Sequence, residues 1–398
     1  MDGTHYSWID FLFTFGGLLF FLADIGLDAW AVVTFYQEEA YVCLGLLLLF
    51  LLGSSLLAQV YSWLWYRYDD YATHTSVESC LNPLSLKLLH VIQLGVYLRY
   101  ASVMEVAVKS FTSNSCDPAE EATVSLSHDL CMLRLIETFT ESAPQLVLIL
   151  TVVLQRGTLD PMTMLKMVGS ASAIACSVTM YHRSLRAFLR DRHQQTIVSS
   201  VIYFLWNLLL IGPRLTALAL FTSVLPCYIF THFLCSWLAL FFFAWRSKTS
   251  FMDSTGGEWL FKATIGLIWY FSWFNVVDGR TRYKALFYHL YIVLDVGLLC
   301  GLWCWQVYRK EPYFEGTPVY AIYISVAIVA VYILGLSLRV LYYRFFHPKV
   351  AMLSVMPALV PDTVDAEMVM VRSMNGPPQP ARTRENKRMR KLAVNFYS

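Results

Sequence analysis

The chain has 398 residues, of which 57% are hydrophobic, 16% are aromatic and only 15% are charged. Soluble domains carry about 25% charged residues, so this composition excludes an ordinary soluble protein and indicates a polytopic membrane protein. The net charge of +2 gives no support for binding to nucleic acid.

The first apolar run, from about residue 9 to residue 35, is long enough to span a membrane. It carries three acids, Asp10, Asp24 and Asp28. At about 100° per residue, Asp24 and Asp28 lie one helical turn apart, and Asp10 falls within roughly 40° of the same line. A charge at the bilayer centre costs about 3 kcal/mol or more, so such acids are usually buried against partners and often functional. The run predicts a helix that presents acids to a polar interior.

Ten apolar segments follow one another along the chain: 9–35, 42–66, 84–112, 128–154, 161–181, 197–222, 226–246, 259–277, 285–306 and 317–345. Basic linkers favour the cytoplasm, and those on both sides of 259–277 predict a re-entrant hairpin there. Parity then requires a second non-crossing segment, either 84–112 or 128–154, and Arg99 in mid-segment favours 84–112. We expect an all-α protein with eight transmembrane helices, two re-entrant hairpins, two pseudo-repeat halves and both termini in the cytoplasm.

Further charges lie inside the other apolar segments. Arg134, Glu137 and Glu141 share one helix face at i, i+3 and i+7, and Asp129 precedes them by about a turn. Arg99, Arg214 and Asp295 lie in other segments. The acids of the first and fourth segments could pair with Arg134, Arg99 and Arg214. Two interpretations remain open, a buried network that fixes helix packing and a polar track along the membrane.

The chain contains no HExxH, GxSxG, phosphate-loop or CxxC motif. We therefore expect no enzymatic activity, no catalytic residue, no metal and no cofactor.

The last part of the chain differs from the rest. Residues 349–398 are proline-rich, which predicts a cytosolic regulatory tail after a transmembrane domain at 1–348. The segment Asn386–Tyr397 has the pattern of a short basic amphipathic helix. The sequence from Asp362 to Ala366, DTVDA, matches an executioner caspase site with cleavage after Asp365. A cut there would release the basic end of the tail.

Five runs of the sequence resemble the XK-related family. They are FLADIGLDAW (Phe21–Trp30), MLRLIETFTESAPQL (Met132–Leu146), SSVIYFLWNLLLIGPR (Ser199–Arg214), YFSWFNVVDGRTR (Tyr270–Arg282) and LRVLYYRFFHP (Leu338–Pro348). The likeness extends from about residue 9 to residue 348 and is greatest to the family's apoptotic phospholipid scramblases.

The resemblance implies a caspase-activated phospholipid scramblase of the plasma membrane that exposes phosphatidylserine. It also implies a partner of the basigin/neuroplastin type, a single-span immunoglobulin-domain glycoprotein. The family's charged lipid track carries over to ten positions: Asp10, Asp24, Asp28, Asp129, Arg134, Glu137, Glu141, Arg183, Arg214 and Asp295. One departure is Met180, which stands where the branch often has an acid.

Two other classes of function remain open. The first is a transporter or channel that moves a polar solute through the same charged core. The second is a non-transporting partner subunit of another membrane protein.

Overall fold

Helices form nearly all of the chain that the structure, a computed structural model, describes. The described residues are 8–69, 71, 73, 75–112, 119–157, 161–188, 197–247, 251–252, 254–274, 282–310 and 317–346, and no strand occurs among them. The helices are α1 (Trp8–Gln37), α2 (Tyr41–Tyr68), α3 (Ser76–Ser79), α4 (Pro83–Val91), α5 (Gly95–Thr112), α6 (Ala119–Glu137), α7 (Ala143–Arg156), α8 (Pro161–Phe188), α9 (Ile197–Val224), α10 (Tyr228–Arg246), α11 (Thr255–Phe271), α12 (Arg282–Lys310) and α13 (Thr317–Leu341). Two π-helical turns join this series, Thr138–Ser142 between α6 and α7 and Tyr342–Phe346 after α13.

Eight stretches of the described chain are long and apolar enough to cross a membrane. They are Phe15–Gln37, Tyr41–Tyr68, Val124–Arg156, Pro161–Leu185, Ile197–Val224, Tyr228–Arg246, Tyr283–Arg309 and Val319–Phe346. A helix suits this role because it satisfies every backbone hydrogen bond within the segment. The prediction of an all-α polytopic membrane protein is confirmed.

The segment predicted as the first hairpin is broken in two. The axes of α4 and α5 differ by 119° at a break of a few residues. Gln93 lies in this break with a φ of 66°. Ser55 Oγ donates to its side-chain oxygen at 2.7 Å, and Gln59 Nε2 donates to its carbonyl at 2.9 Å. Protein contacts therefore cover the irregular backbone, as a membrane requires, which supports 84–112 over 128–154 as the non-crossing segment.

The hairpin predicts a test of packing at Gly95. A Cβ at Gly95 would lie 2.4 Å from His90 Cδ2. The His90 ring is held by Ser62 Oγ at 2.9 Å and by the Leu86 carbonyl at 2.8 Å, so it has little room to move. We expect Gly95→Ala to cost about 1–3 kcal/mol of stability through overpacking. Thermal unfolding of the detergent-purified protein measures this effect.

The matched control is Gly53→Ala in α2, where an added Cβ meets nothing within 4 Å. This replacement is expected to leave the melting temperature unchanged or to raise it, because alanine is the better helix former. Equal melting temperatures for Gly95→Ala and the unmodified protein would contradict the prediction.

The second predicted hairpin, 259–277, is described only in its first arm. This arm is α11, whose 17 residues are not among the eight candidate spans of the described chain. Trp269 Nε1 donates to the Phe274 carbonyl at 2.6 Å, so the chain turns back after α11 ends. Residues 275–281 lie outside the described residues, and the return arm stays a prediction.

In both halves of the chain, two spans are followed by a shorter element that is not a candidate span, the bent pair α4–α5 or α11, and then by two further spans. The helices α6–α7 and α9 form the interior, whereas the other spans bury a smaller share of their residues. Tyr61 and Trp269 are fully buried, and Tyr61 donates a hydrogen bond of 2.8 Å to Thr264 Oγ1, which links the two halves. Val42 and Leu52 lie on the outer surface, where lipid is the expected solvent.

The order of the spans also indicates which helix ends lie on the same face of the membrane. Glu38, in the turn after α1, forms an ion pair of 2.7 Å with Arg156 at the end of α7, so these two ends share a face. Eight crossings return the chain to the face from which it started. We call the face at which α1 begins and α13 ends the N-terminal face.

Candidate functional site in the charged interior

Ionisable side chains from three spans meet in the interior of the protein. We call this group the central cluster: Asp24, Asp28, Arg134, Glu137, Glu141 and Lys166. Arg134 Nη1 lies 2.8 Å from Glu137 Oε2, and Arg134 Nη2 lies 3.8 Å from Asp24 Oδ2. Lys166 Nζ lies 3.0 Å from Asp28 Oδ1 and donates to the Leu27 carbonyl at 3.1 Å. The cluster thus joins α1, the α6–α7 span and α8.

A π-helical turn brings Glu141 into this cluster. The turn Thr138–Ser142 is followed closely by Pro144, which has no N–H to continue an ordinary helical ladder. Wider π turns of this kind are frequent at functional sites. Thr140 Oγ1 donates to Ser54 Oγ at 3.0 Å and fixes the turn against α2. Glu141 is buried, and carboxylate oxygens of Asp24, Asp28 and Glu141 lie within 4.8 Å of one another.

The central cluster contains more acids than bases. Its four carboxylates face two cations, Arg134 and Lys166. Like charges in a poorly solvated interior repel each other strongly, and an unpaired carboxylate is costly to bury. The arrangement is therefore suited to accept a further positively charged group. Lys166 already occupies part of the cluster with an ammonium group.

A second group of charges holds the first hairpin in place. Arg99 Nη1 lies 3.2 Å from Asp129 Oδ2, and Arg99 Nε donates to Ser62 Oγ at 2.7 Å. The Arg99 guanidinium carbon lies 4.1 Å from the centre of the Tyr66 ring, within the range of a cation–π contact. These bonds join α5 to α2 and α6, a packing role for this pair.

A third group lies in the second half of the chain. Arg214 is completely buried and forms an ion pair with Asp295. Its Nε donates to the Tyr270 carbonyl at 3.1 Å, and His232 Nε2 lies 3.0 Å from Asp295 Oδ1. No ion pair between described residues links this group to the central cluster. The charges of the pair balance, in contrast to those of the cluster.

The structure separates the ten predicted track residues. Asp24, Asp28, Arg134, Glu137 and Glu141 meet in the central cluster, whereas Asp129, Arg214 and Asp295 belong to the other two groups. Arg183 Nη1 donates to Ser200 Oγ at 3.1 Å and joins α8 to α9. Asp10 lies in α1, but its side chain is outside the described residues, as are Asp362, Asp365 and Ala366 of the tail.

Two residues of these groups were not predicted from the sequence. Lys166 is an isolated base in the apolar segment 161–181, and a base inside an apolar segment is the sequence feature that could have identified it as a partner for the buried acids. His232 stands alone near the start of α10. Nothing in its spacing indicates Asp295 as a neighbour.

These features define a class of protein, an all-α polytopic membrane protein whose interior buries more acidic than basic side chains. Within that class, the family model described as XK-related protein matches residues 12–348. The chain is 40% identical to XK-related protein 8 of Tetraodon nigroviridis, over 99% of this chain and 97% of that protein. It is 41% identical to XK-related protein 8 of Gasterosteus aculeatus, over 99% and 98% of the two chains. For XK-related protein 8 of Pan troglodytes the identity is 37%, over 96% and 92%. The chain belongs to the XK-related family.

Proposed function

We propose that the chain is a phospholipid scramblase that an executioner caspase activates, and that it exposes phosphatidylserine on the cell surface during apoptosis. The observation that carries this proposal is the buried, acid-rich central cluster between the spans of an XK-related chain. Five sequence runs resemble the family's apoptotic scramblases, and this likeness indicates phospholipids as the proposed substrate.

The chemistry of the cluster supports this proposal. A lipid headgroup that crosses hydrocarbon loses its water, and each unpaired polar group then costs several kcal/mol. Carboxylates of Asp24, Asp28 and Glu141 can replace water around an ammonium group, while Arg134 can replace it around a phosphate. The acyl chains remain in the surrounding lipid. The lipid moves down its gradient, and no nucleotide is needed.

The tail provides the proposed control. It follows α13 on the N-terminal face, and we assign this face to the cytoplasm and the protein to the plasma membrane. The basic amphipathic helix predicted at Asn386–Tyr397 lies outside the described residues, and we propose that it covers the cytoplasmic mouth of the path in the uncut chain. Cleavage after Asp365 releases it. We also propose a single-span immunoglobulin-domain glycoprotein of the basigin/neuroplastin type as the partner in the membrane.

Reconstitution tests this function. The purified chain is placed in liposomes with a fluorescent phospholipid in both leaflets, with and without prior caspase treatment. With uncleaved protein, a reductant added outside is expected to quench the fluorescence of labelled lipid in the outer leaflet only. After cleavage, it is expected to quench the labelled lipid of both leaflets. If the inner-leaflet fluorescence stays protected from the reductant after complete cleavage, the proposal is contradicted.

The same liposomes separate the other two classes of function. Uptake of a polar solute without lipid movement would indicate a transporter or channel. Activity that requires a second, co-reconstituted protein to supply the path would indicate a non-transporting partner subunit.

A further inference from the structure

An open cleft lies between α1, α5, α6 and α8. About 590 Å³ in and around it is not filled by protein atoms, and this volume includes open solvent. Gly17, Ser127 and Met180 line it, and these positions lie near the ends of their spans at the N-terminal face. A Cβ at Gly17 would lie 3.0 Å from Met180 Cε, so the methionine side chain rests across the first helix at the rim. The cleft thus leads from the N-terminal face toward the central cluster.

Two residues that line the cleft have hydroxyl groups without a hydrogen-bond partner among the described residues. Tyr100 is only 6% exposed, and its hydroxyl has no hydrogen-bond partner among the described residues. The hydroxyl of Ser127 is buried in the same way, also without a partner in the described part of the chain. Leaving a buried donor unsatisfied is unfavourable, so each such group calls for an explanation, and a bound ligand is one that fits two donors beside one cavity.

Arg134 stands beside these hydroxyls. The Tyr100 ring stacks on the Phe21 ring with a centroid distance of 4.6 Å, and the Arg134 guanidinium carbon lies 4.8 Å from the centre of the same ring. Tyr100, Ser127 and Arg134 all line the cleft. Two hydroxyl donors and a guanidinium form a set that suits a phosphate.

Arg134 also touches the acidic side of the central cluster. Its Nη2 lies 3.8 Å from Asp24 Oδ2, and the carboxylates of Asp28 and Glu141 lie next to that of Asp24. Within this set, Asp28 already pairs with the ammonium group of Lys166, with 3.0 Å between Nζ and Oδ1. Donors for an anion and acceptors for a cation therefore both lie near Arg134.

We propose that this cleft binds the headgroup of a zwitterionic phospholipid next to Arg134. The phosphate accepts hydrogen bonds from Tyr100 and Ser127, and the ammonium group faces the surplus carboxylates. The acyl chains leave along the apolar rim, where Phe20 and Leu130 line the cleft. This site rests on the proposed function, because it is a resting position for the lipid that the protein moves.

Removal of the two hydroxyls tests the site. The double variant Tyr100→Phe, Ser127→Ala keeps the ring and nearly the same volume. Binding to the full purified chain is measured by native mass spectrometry with dioctanoyl phosphatidylcholine, dioctanoyl phosphatidic acid, dodecyltrimethylammonium and free phosphocholine. The variant is expected to bind the two phosphate lipids about tenfold more weakly, as two lost hydrogen bonds imply. Its affinity for dodecyltrimethylammonium and its melting temperature are expected to stay unchanged.

The matched control is Tyr61→Phe, which removes a buried hydroxyl that is already bonded to Thr264 at 2.8 Å. This variant is expected to melt at a lower temperature and to bind phosphatidylcholine normally. Equal affinity of the double variant and the unmodified chain for phosphatidylcholine would overturn the site. Equal binding of phosphocholine and phosphatidylcholine would overturn its assignment to a lipid.

The liposome assay keeps this result separate from the proposed function. In one outcome, the cleaved, unmodified chain does not scramble lipid, and the double variant binds the phosphate lipids more weakly than the unmodified chain does. The site then stands and the scramblase function fails. If the unmodified chain scrambles and the double variant binds and scrambles equally well, the site fails and the function stands.

Discussion

Apoptotic cells that carry Asp365→Ala as their only copy of this chain are expected to keep phosphatidylserine inside, with surface exposure at the background level. Caspases cut after an aspartate, and Asp362 and Asp365 with the small Ala366 form the matching motif in the tail. Without the cut, the basic end of the tail stays attached. A phosphatidylserine-binding probe measures exposure, and an immunoblot measures the loss of the 33 residues from Ala366 to Ser398.

A chain that ends at Asp365 is the control for this prediction. It is expected to expose phosphatidylserine without caspase activity, because it lacks the segment that Asp365→Ala retains. Normal exposure from the uncut Asp365→Ala chain would show that the tail does not control the protein. A silent truncated chain would show that cleavage needs a second signal.

The sequence predicts the membrane segments well because length and hydropathy determine which stretches can cross. The distribution of basic residues also indicates that 84–112 does not cross. The sequence does not predict where that segment bends. The bend lies at Gln93, which Ser55 and Gln59 hold from α2, and such contacts between distant residues leave no periodic pattern in the sequence.

The same limit applies to the charged interior. Helical spacing places Asp24 beside Asp28, and Arg134 beside Glu137, because each pair lies within one helix. The sequence left open whether Arg99 and Arg214 pair with the acids of the first and fourth segments. The structure pairs Arg99 with Asp129 of the fourth segment, whereas Arg214 pairs with Asp295 in the second half of the chain. The choice depends on which helices are neighbours, and residue spacing does not contain that information.

The balance of charge distinguishes the cluster from the ion pairs. Arg214 and Asp295 neutralise each other, so the loss of Asp295 leaves Arg214 without a carboxylate, and the loss of Arg214 leaves Asp295 with His232 alone. The central cluster contains extra acids, among them Glu141. The loss of Glu141 relieves repulsion and leaves no base without a partner, because Lys166 keeps Asp28 and Arg134 keeps Glu137. Removing one charge of the Arg214–Asp295 pair should therefore affect folding, whereas removing the charge of Glu141 should affect transport.

Glu141→Gln is expected to reach the cell surface at about the normal level and, after caspase cleavage, to scramble lipid about tenfold more slowly. The amide keeps the volume and hydrogen-bonding capacity of the side chain, and a tenfold change corresponds to about 1.4 kcal/mol of lost stabilisation at the barrier. Surface biotinylation of the cleaved protein, measured beside lipid exposure in the same cells, gives the rate per surface molecule.

Arg214→Met is the contrasting variant. It leaves Asp295 without its guanidinium partner, which costs about 3–5 kcal/mol, so abundance at the surface is expected to fall sharply. Replacing both partners, Arg214→Met with Asp295→Leu, is expected to restore much of that abundance, because no buried charge is then left unpaired. If Glu141→Gln instead reaches the surface and scrambles at the unmodified rate, the central cluster serves packing alone. The lipid path then lies elsewhere, because a path through the cluster requires the carboxylate of Glu141 to face the ammonium group of each passing lipid.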